Sequence, residues 1–476
     1  MSLSAALSVA LTGLQTSTTA AQLISGNISN AQTAGYTDKS LTLSTVTDGT
    51  SLGGVAVTSY NRVSDSVLTA TLNSATSNAS FLSTQNGYMQ QVQSILGSSD
   101  STPALSAAVA NFQSAWQSFS TAPEQATTQQ SVIAAGQQLA STINTISNQA
   151  ATLQSSVQSD LQTTVTSLNT DLTQIQSLNT QIAAALGNNQ SIVNLQDQRD
   201  QVVNSISAIT NVQVMQRDNG QIALYTPGGN ALIDGQPQVY SVSGNSVVNA
   251  IGSDVSGILT GGKMQAQVDF LSTAGGSAGN GNNVVANLQS QLKNFVNMFT
   301  NTAAGGFANT YDSATTGTGE QASQFFTVTL DGNNLPDLST FAVNSNLVNG
   351  TTTVKQASAV NVANTFAATN LAINNTTNTT TSTFSAGGLT TQNQTYSGIA
   401  NMILSGFQQA ANAIQTSSTT ATTQQTYYKN ALSSETGVNT DTELVNLTNW
   451  QNSYAASAHV ISTIQSMLTT LENMVG

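Results

Sequence analysis

The sequence predicts a mainly α-helical fold with β insertions, an α+β arrangement. Three observations carry this. Heptad stripes run along both ends of the chain, a stretch from Gln137 to Leu186 contains neither Gly nor Pro, and period-two runs with Asn-Gly and Gly-Gly turns interrupt the helical spacing between them.

At the N-terminus Leu7, Leu14, Ala21 and Ile28 recur every seven positions, with Leu3, Ala10, Ile24 and Ala31 on the offset row. At the C-terminus Leu447, Tyr454, Ile461, Leu468 and Val475 do the same, with Trp450, Ile464 and Leu471 offset. Such stripes turn one helix face toward a partner helix, so residues 1–40 and 440–476 are expected to form a terminal coiled-coil domain. These apolar rows are the candidate subunit interface, because the same helices of a neighbouring copy could cover what one partner leaves open.

Residues 41–60 alternate loosely around Gly49, Gly53 and Gly54, as in short strands or a loop. Residues 62–96 keep helical spacing, and Pro103 is placed to open a helix carrying Phe112, Trp116 and Phe119, read as core. Over Gln137–Leu186 a helix of roughly 65–75 Å is expected, ending at Gly187. A further helix covers 190–209. Val212, Val214 and Gln216 then alternate up to Asp218-Asn219-Gly220, and Ile222, Leu224 and Thr226 alternate after it, a β-hairpin signal. Residues 263–301 and 396–432 read as helix. The elongated helical-bundle domain therefore spans 41–304 plus 396–439, with β-hairpins near 212–242. Residues 305–395, rich in Thr, Asn and Gly with the β-like run Phe325–Leu330, read as an inserted, mostly β outer domain. Lying furthest from the chain ends, it is expected to face outward and to be dispensable for assembly.

Composition excludes several functions. Net charge is −13, yet only 6% of the 476 residues are charged, against roughly 25% in ordinary soluble domains. Uncharged polar side chains fill the surface positions, which favours close packing of copies. The 8 Lys and Arg are scattered singly, so nucleic-acid binding has no electrostatic footprint. Cys is absent, which removes disulfides and thiol chemistry. No Lys or Arg precedes Lys39 and no apolar run is long enough to span a bilayer, so neither a cleaved signal peptide nor a membrane span is expected.

Catalytic, cofactor and metal residues are expected to be none. His459 is the single histidine and sits beside Val460 and Ile461 without acidic neighbours at metal spacing. Gly275–Gly281 lacks the Lys of a phosphate cradle. Asp197, Arg199 and Asp200 could be read as a carboxylate site, but an ion-pair cluster where helix meets hairpin is favoured. Arg199 is expected to be buried and bonded to Asp197, Asp200 or backbone carbonyls.

Three stretches resemble one family. Asn27-Ile28-Ser29-Asn30 with Thr33-Ala34-Gly35-Tyr36-Thr37 resembles the N-terminal signature of bacterial flagellar rod, hook and hook-associated axial proteins. Ser434-Glu435-Thr436-Gly437-Val438-Asn439 with Glu443-Leu444 resembles their C-terminal signature. Leu195–Val203, containing Asp197, Arg199 and Asp200 and followed by the Asn219-Gly220 hairpin, is similar to the central block of the family's hook–filament junction members. Ala122-Pro123-Glu124 and Gly257-Ile258-Leu259 fit as well. The similarity covers about 1–300 and 395–476, and the segment 305–395 does not share it. Asp38 departs from the pattern, which commonly has Arg there.

The resemblance implies a structural axial subunit joining hook to filament and required for filament assembly. It would self-assemble into a ring, contact hook protein and a second junction protein, and be delivered by an export chaperone and the flagellar type III export apparatus. Its location would be extracellular, in the flagellum, without a cleaved signal. Hook protein or a flagellin-like protein is the nearer alternative; the 195–203 block argues against the first and the Asn27–Thr37 signature against the second. A secreted Thr/Asn-rich adhesin would account for 305–395 but not for paired terminal heptads.

Overall fold

The computed structural model describes residues 3–48, 51–97, 105–272, 284–302, 306–314, 324–369, 372–374, 379–381 and 383–475. The chain opens with α1 (Leu3–Asn30), which carries no charged residue. An antiparallel hairpin follows, β1 (Lys39–Asp48) and β2 (Ser51–Arg62), whose register shifts at Thr42/Leu43 and at Val46/Thr47. Each irregularity breaks the period of two, which is why this stretch alternates only loosely in sequence.

Helix α2 (Ser66–Leu96) starts on Asp65, whose carboxylate accepts from the Val67 and Leu68 amides at 2.9 Å each. Helix α3 (Leu105–Thr121) turns Phe112, Trp116 and Phe119 fully inward. Pro103 lies outside the described residues. Helix α4 (Ala126–Gly187) runs for 62 residues, about 93 Å at 1.5 Å per residue. It starts ahead of Gln137 because Gly136 is no break: a Cβ there would lie 2.8 Å from Phe325 Cε1 and 3.1 Å from Val343 Cγ2, so the glycine makes room for a packed neighbour.

After α5 (Val193–Ile209), the strands β3 (Gln213–Gln216), β4 (Ile222–Tyr225), β5 (Ala231–Asp234) and β6 (Gln236–Pro237) form an antiparallel sheet in chain order. The turn between β3 and β4 holds Asn219 and Gly220 at φ 59° and 71°, the left-handed geometry the Asn-Gly pair predicts. A separate hairpin pairs β7 (Tyr240–Ser243) with β8 (Ser246–Asn249). Two asparagines of α4 dock these strands by imitating a strand edge. Asn179 donates to Ile222 O at 2.8 Å and accepts from Ile222 N at 3.1 Å. Asn169, about 15 Å along the helix, does the same with Tyr240, at 2.8 and 3.0 Å.

The stretch expected as one helix over 263–301 is two, α6 (Gly262–Leu271) and α7 (Val284–Thr300). The glycine-rich run Gly275–Gly281 falls outside the described residues. Then come α8 (Phe307–Asp312), β9 (Phe326–Thr327), β10 (Ala342–Val343), α9 (Ser345–Val348), α10 (Ala359–Thr365), β11 (Ala372–Asn374), β12 (Thr379–Thr381), β13 (Thr383–Ala386) and β14 (Leu389–Gln392). The expectation of a mostly β insertion needs correcting. Short helices accompany two-stranded pairs, and the aromatic residues enter the core of the helical domain. Phe307, Tyr311, Phe325, Phe326, Phe341 and Phe366 are all buried. Ring centroids lie 5.6 Å apart for Phe112–Phe307 and Trp116–Phe325, and 5.8 Å for Phe299–Phe326. Only Phe326 and Thr327 of the run Phe325–Leu330 are strand, because burying those rings among helices outweighs local β preference.

Helix α11 (Tyr396–Thr436) packs along α2, and α12 (Thr440–Val475) packs along α1. The main core extends from Tyr88 to Ile414 and includes no residue of α1 or α12. The terminal helix pair thus lies outside that core, with α1 also packed against β2, where Thr16 Oγ1 donates to Val55 O at 3.3 Å. Among the described residues no helix is long and apolar enough to cross a membrane.

Candidate assembly interface and its joint

The terminal pair closes its seam only in part. Ala10, Ala20, Ile24 and Ile464 are buried, and Leu7, Leu14, Ile28, Leu447, Trp450 and Ile461 are half-buried. Leu3, Tyr454, Leu468 and Leu471 remain 39%, 46%, 37% and 62% exposed. Val475 is at the helix end and its side chain is outside the description. The reason is geometric. Asn27 bonds Glu443, and a Cβ on Gly13 would lie 3.1 Å from Ser457 Oγ, so the helices run antiparallel in one register. Leu3 then falls opposite about Met467, and Leu471 and Met474 project past the described end of α1. An open groove of about 540 Å³ follows the pair, lined by Thr18, Ala21, Gln22, Leu447, Trp450 and Tyr454.

The signature residues converge where this pair meets the helical domain. Asn27, fully buried, donates to Asp38 Oδ1 at 2.8 Å, to Lys39 O at 2.8 Å and to Glu443 Oε2 at 3.1 Å. Its own Oδ1 accepts from the Tyr36 hydroxyl at 3.0 Å. Asn30 donates to Gly26 O at 2.9 Å and accepts from Thr33 Oγ1 at 3.3 Å, shaping the turn that follows. Gly35 sits at φ 76° with Gln201 against it; a Cβ would meet Gln201 Nε2 at 2.8 Å, and that amide donates to Ala34 O at 3.0 Å.

From the other end, Gly437 closes α11 with its Cα against Ser433 O, where a Cβ has no room, and Val438 is half-buried. Asn439 caps α12, its Oδ1 accepting from the Asp441 and Thr442 amides at 3.1 and 3.2 Å. The Asp38 amide donates to Thr436 O at 2.7 Å, tying both chain ends together.

The central block anchors this joint through Asp197 and Asp200. Asp197 accepts from Thr37 Oγ1 at 2.8 Å, Lys39 Nζ at 2.7 Å and Arg62 Nη1 at 3.1 Å. Arg62 also reaches Asp200 at 2.6 Å. Lys39 is buried, with Nζ 3.2 Å from the centre of the Tyr36 ring. Burial and the charges of Asp197, Asp38 and Glu443 push the Tyr36 hydroxyl up; burial and then Glu443 push the Asp38 carboxyl up.

Arg199 is buried as expected, and of the expected partners it meets a backbone carbonyl and neither aspartate. Its Nη1 donates to Asn179 Oδ1 at 3.2 Å and to Gly220 O at 2.7 Å, and no carboxylate bonds it, because Lys39 and Arg62 hold the neighbouring aspartates. Burial lowers its pKa. Lys39 and Arg62 are the contributors that sequence reading missed. Their signal was scarcity: with 8 cations in the chain, an aspartate destined for burial has few ones to meet.

His459 is exposed on α12, and among the described residues no group of three or more His, Cys, Asp or Glu side chains could hold a metal ion. What the arrangement offers is an apolar row with a polar root, suited to seating a helix pair at a fixed place.

Comparisons with known proteins find relatives over parts of the chain. The family model described as the flagellar hook-associated protein FlgK helical domain matches residues 89–326, half of the chain, and one described as the flagellar basal body rod FlgEFG protein C-terminal region matches 431–474. Flagellar hook-associated protein 1 of Salmonella typhimurium LT2 is 28% identical over 240 residues, covering 49% of this chain and 43% of that protein. Its counterpart in Bacillus subtilis 168 is 26% identical over 220 residues, covering 44% and 43%. These matches span less than half the length of the relatives. A solved structure, the flagellar hook junction protein FlgK from Burkholderia pseudomallei, aligns with TM-score 0.46 and 25% identity over 55% of this chain and 47% of that one. The chain belongs to the flagellar hook-associated protein family of the FlgK type, and so to the axial structural proteins of the bacterial flagellum.

Proposed function

We propose that this chain is a junction subunit between hook and filament, required for the filament to assemble on the hook. The observation that carries the reading is the terminal helix pair, whose apolar row stays exposed at Leu3, Tyr454, Leu468 and Leu471 in a single chain. Copies arranged in a ring would cover these residues with each other's helices. The relatives are named hook-associated proteins and the FlgK helical domain matches over 89–326, which is consistent with a place at the hook. On this reading hook protein lies on one side and a second junction protein on the other. Delivery goes through an export chaperone and the flagellar type III apparatus to an extracellular position, without signal cleavage. The segment 305–395 faces outward.

A deletion strain tests this. Its cells should build hooks, carry no filaments and release flagellin into the medium. Normal filaments on that strain, or hooks failing to form, would refute the junction role.

A further inference from the structure

We propose that the joint between the terminal helix pair and the helical domain is a proton-operated latch, in which Asp38 takes up the proton and Glu443 is the group it then bonds. The geometry starts from Asn27. Its amide nitrogen has two hydrogens and meets three acceptors, among them Asp38 Oδ1 at 2.8 Å and Glu443 Oε2 at 3.1 Å. One buried amide therefore holds two carboxylates against each other, one on the segment after α1 and one on the first turn of α12.

The groups around Asp38 decide the balance. Its own segment presents Tyr36 and Lys39, β2 presents Arg62, α5 presents Asp197 and Asp200, and α12 presents Glu443. Both cations are engaged by α5: Lys39 bonds Asp197 at 2.7 Å, and Arg62 bonds Asp197 at 3.1 Å and Asp200 at 2.6 Å. The Tyr36 hydroxyl is committed to Asn27 Oδ1. Asp38 and Glu443 thus share one neutral donor; the Lys39 backbone amide and the Lys39 charge favour ionised Asp38, and burial and Glu443 outweigh them. With both ionised they repel in a partly desolvated site. With Asp38 protonated, its O–H gains the Glu443 carboxylate as an acceptor, and repulsion becomes a charge-assisted hydrogen bond.

The sign follows. Burial and Glu443 both raise the Asp38 carboxyl in the folded chain. Its contribution is fully present below the ordinary carboxylate range and is lost as pH rises through the raised value. The latch is therefore tight in acid and looser toward neutrality. What it loosens is the helix pair, because the main core contains no residue of either terminal helix. The inference concerns the free chain and holds whatever the chain assembles with.

The test is hydrogen exchange on the full chain at about pH 4.5 and about pH 7.5, corrected for intrinsic exchange rates. Peptides covering residues 24–30 and 440–450 are compared with peptides of α4, which also report that each variant is folded. At the joint, wild-type protection should fall more than that of α4 on going to the higher pH, the excess loss being the contribution of the Asp38 proton. Asp38→Asn should abolish that excess loss, and Glu443→Gln should abolish it too. Equal protection of the wild-type joint at both pH values would overturn the latch. So would a pH dependence that survives in Asp38→Asn, which would place the proton elsewhere, or one that survives in Glu443→Gln, which would remove the partner.

Discussion

Arg199 and Asn179 bridge a β-turn to the C-terminal part of a 62-residue helix: Arg199 Nη1 donates at 3.2 Å to the same Asn179 oxygen that accepts from the Ile222 amide at 3.1 Å. The guanidinium continues to Gly220 O at 2.7 Å, so one cation fastens both the turn and the strand that leaves it.

Arg199→Ala should lower stability by about 3 kcal/mol, because it leaves the half-buried Gly220 O short of a donor and opens a cavity. Arg199→Lys should recover only part, since one ammonium cannot reproduce the planar fork. Thermal melts of the full chain check this, and unchanged melting in Arg199→Ala would show the contact to be idle.

Gly136→Val should cost about 1–3 kcal/mol by overpacking, since even a Cβ would lie 2.8 Å from Phe325 Cε1. The same contact carries a wider consequence. Removing 305–395 would strip Phe307, Phe325 and Phe326 from Phe112, Trp116 and Phe299. A Gly/Ser linker between Ala304 and Tyr396 is therefore expected to destabilise the helical domain even if the segment makes no assembly contact. Denaturant titration of both variants gives the answer; wild-type midpoints would mean the shared core is not formed.

Much of this was legible in the sequence because periodicity reports burial directly. The apolar spacing in Gln137–Leu186 marked α4, and Asn219-Gly220 marked its hairpin. Gly136 misled, because composition cannot distinguish a glycine that ends a helix from one that admits a neighbour. Phe325–Leu330 misled for a related reason: a short apolar run reads as strand whether its rings face a sheet or a helical core. The joint was half legible. Asn27, Gly35, Tyr36, Asp197 and Asn439 stood out as signatures, but which cation meets which aspartate depends on pairing across residues 39, 62 and 197, which no local pattern encodes. The stripes located the terminal seam, while only the register set by Asn27 and Glu443 shows which members one partner leaves uncovered.

Asp269 gives a pH prediction of definite sign. Burial lifts its carboxyl to about 6 in the folded chain. A raised folded value means the native state holds the proton more tightly, so this contribution is present below the ordinary carboxylate value and is lost between about pH 4 and about pH 6. Asp269→Asn should remove that part of the pH dependence and stabilise the chain near neutrality, by less than the full shift would give because the group is partly solvated. Urea midpoints of wild type and variant across this range test it; parallel curves would show that Asp269 is solvated.

The exposed row of the terminal helices is the proposed assembly seam, and Leu471→Asp tests that most directly. Leu471 is 62% exposed in the single chain, so the substitution should leave the monomer's unfolding free energy within about 0.5 kcal/mol of wild type, as for an ordinary surface change. Once neighbouring copies cover the position, an unpaired carboxylate there costs several kcal/mol. The expected result is a folded protein, present at wild-type levels in the cell, on cells with hooks but no attached filaments. Filaments attached in normal number, with wild-type motility, would contradict the seam.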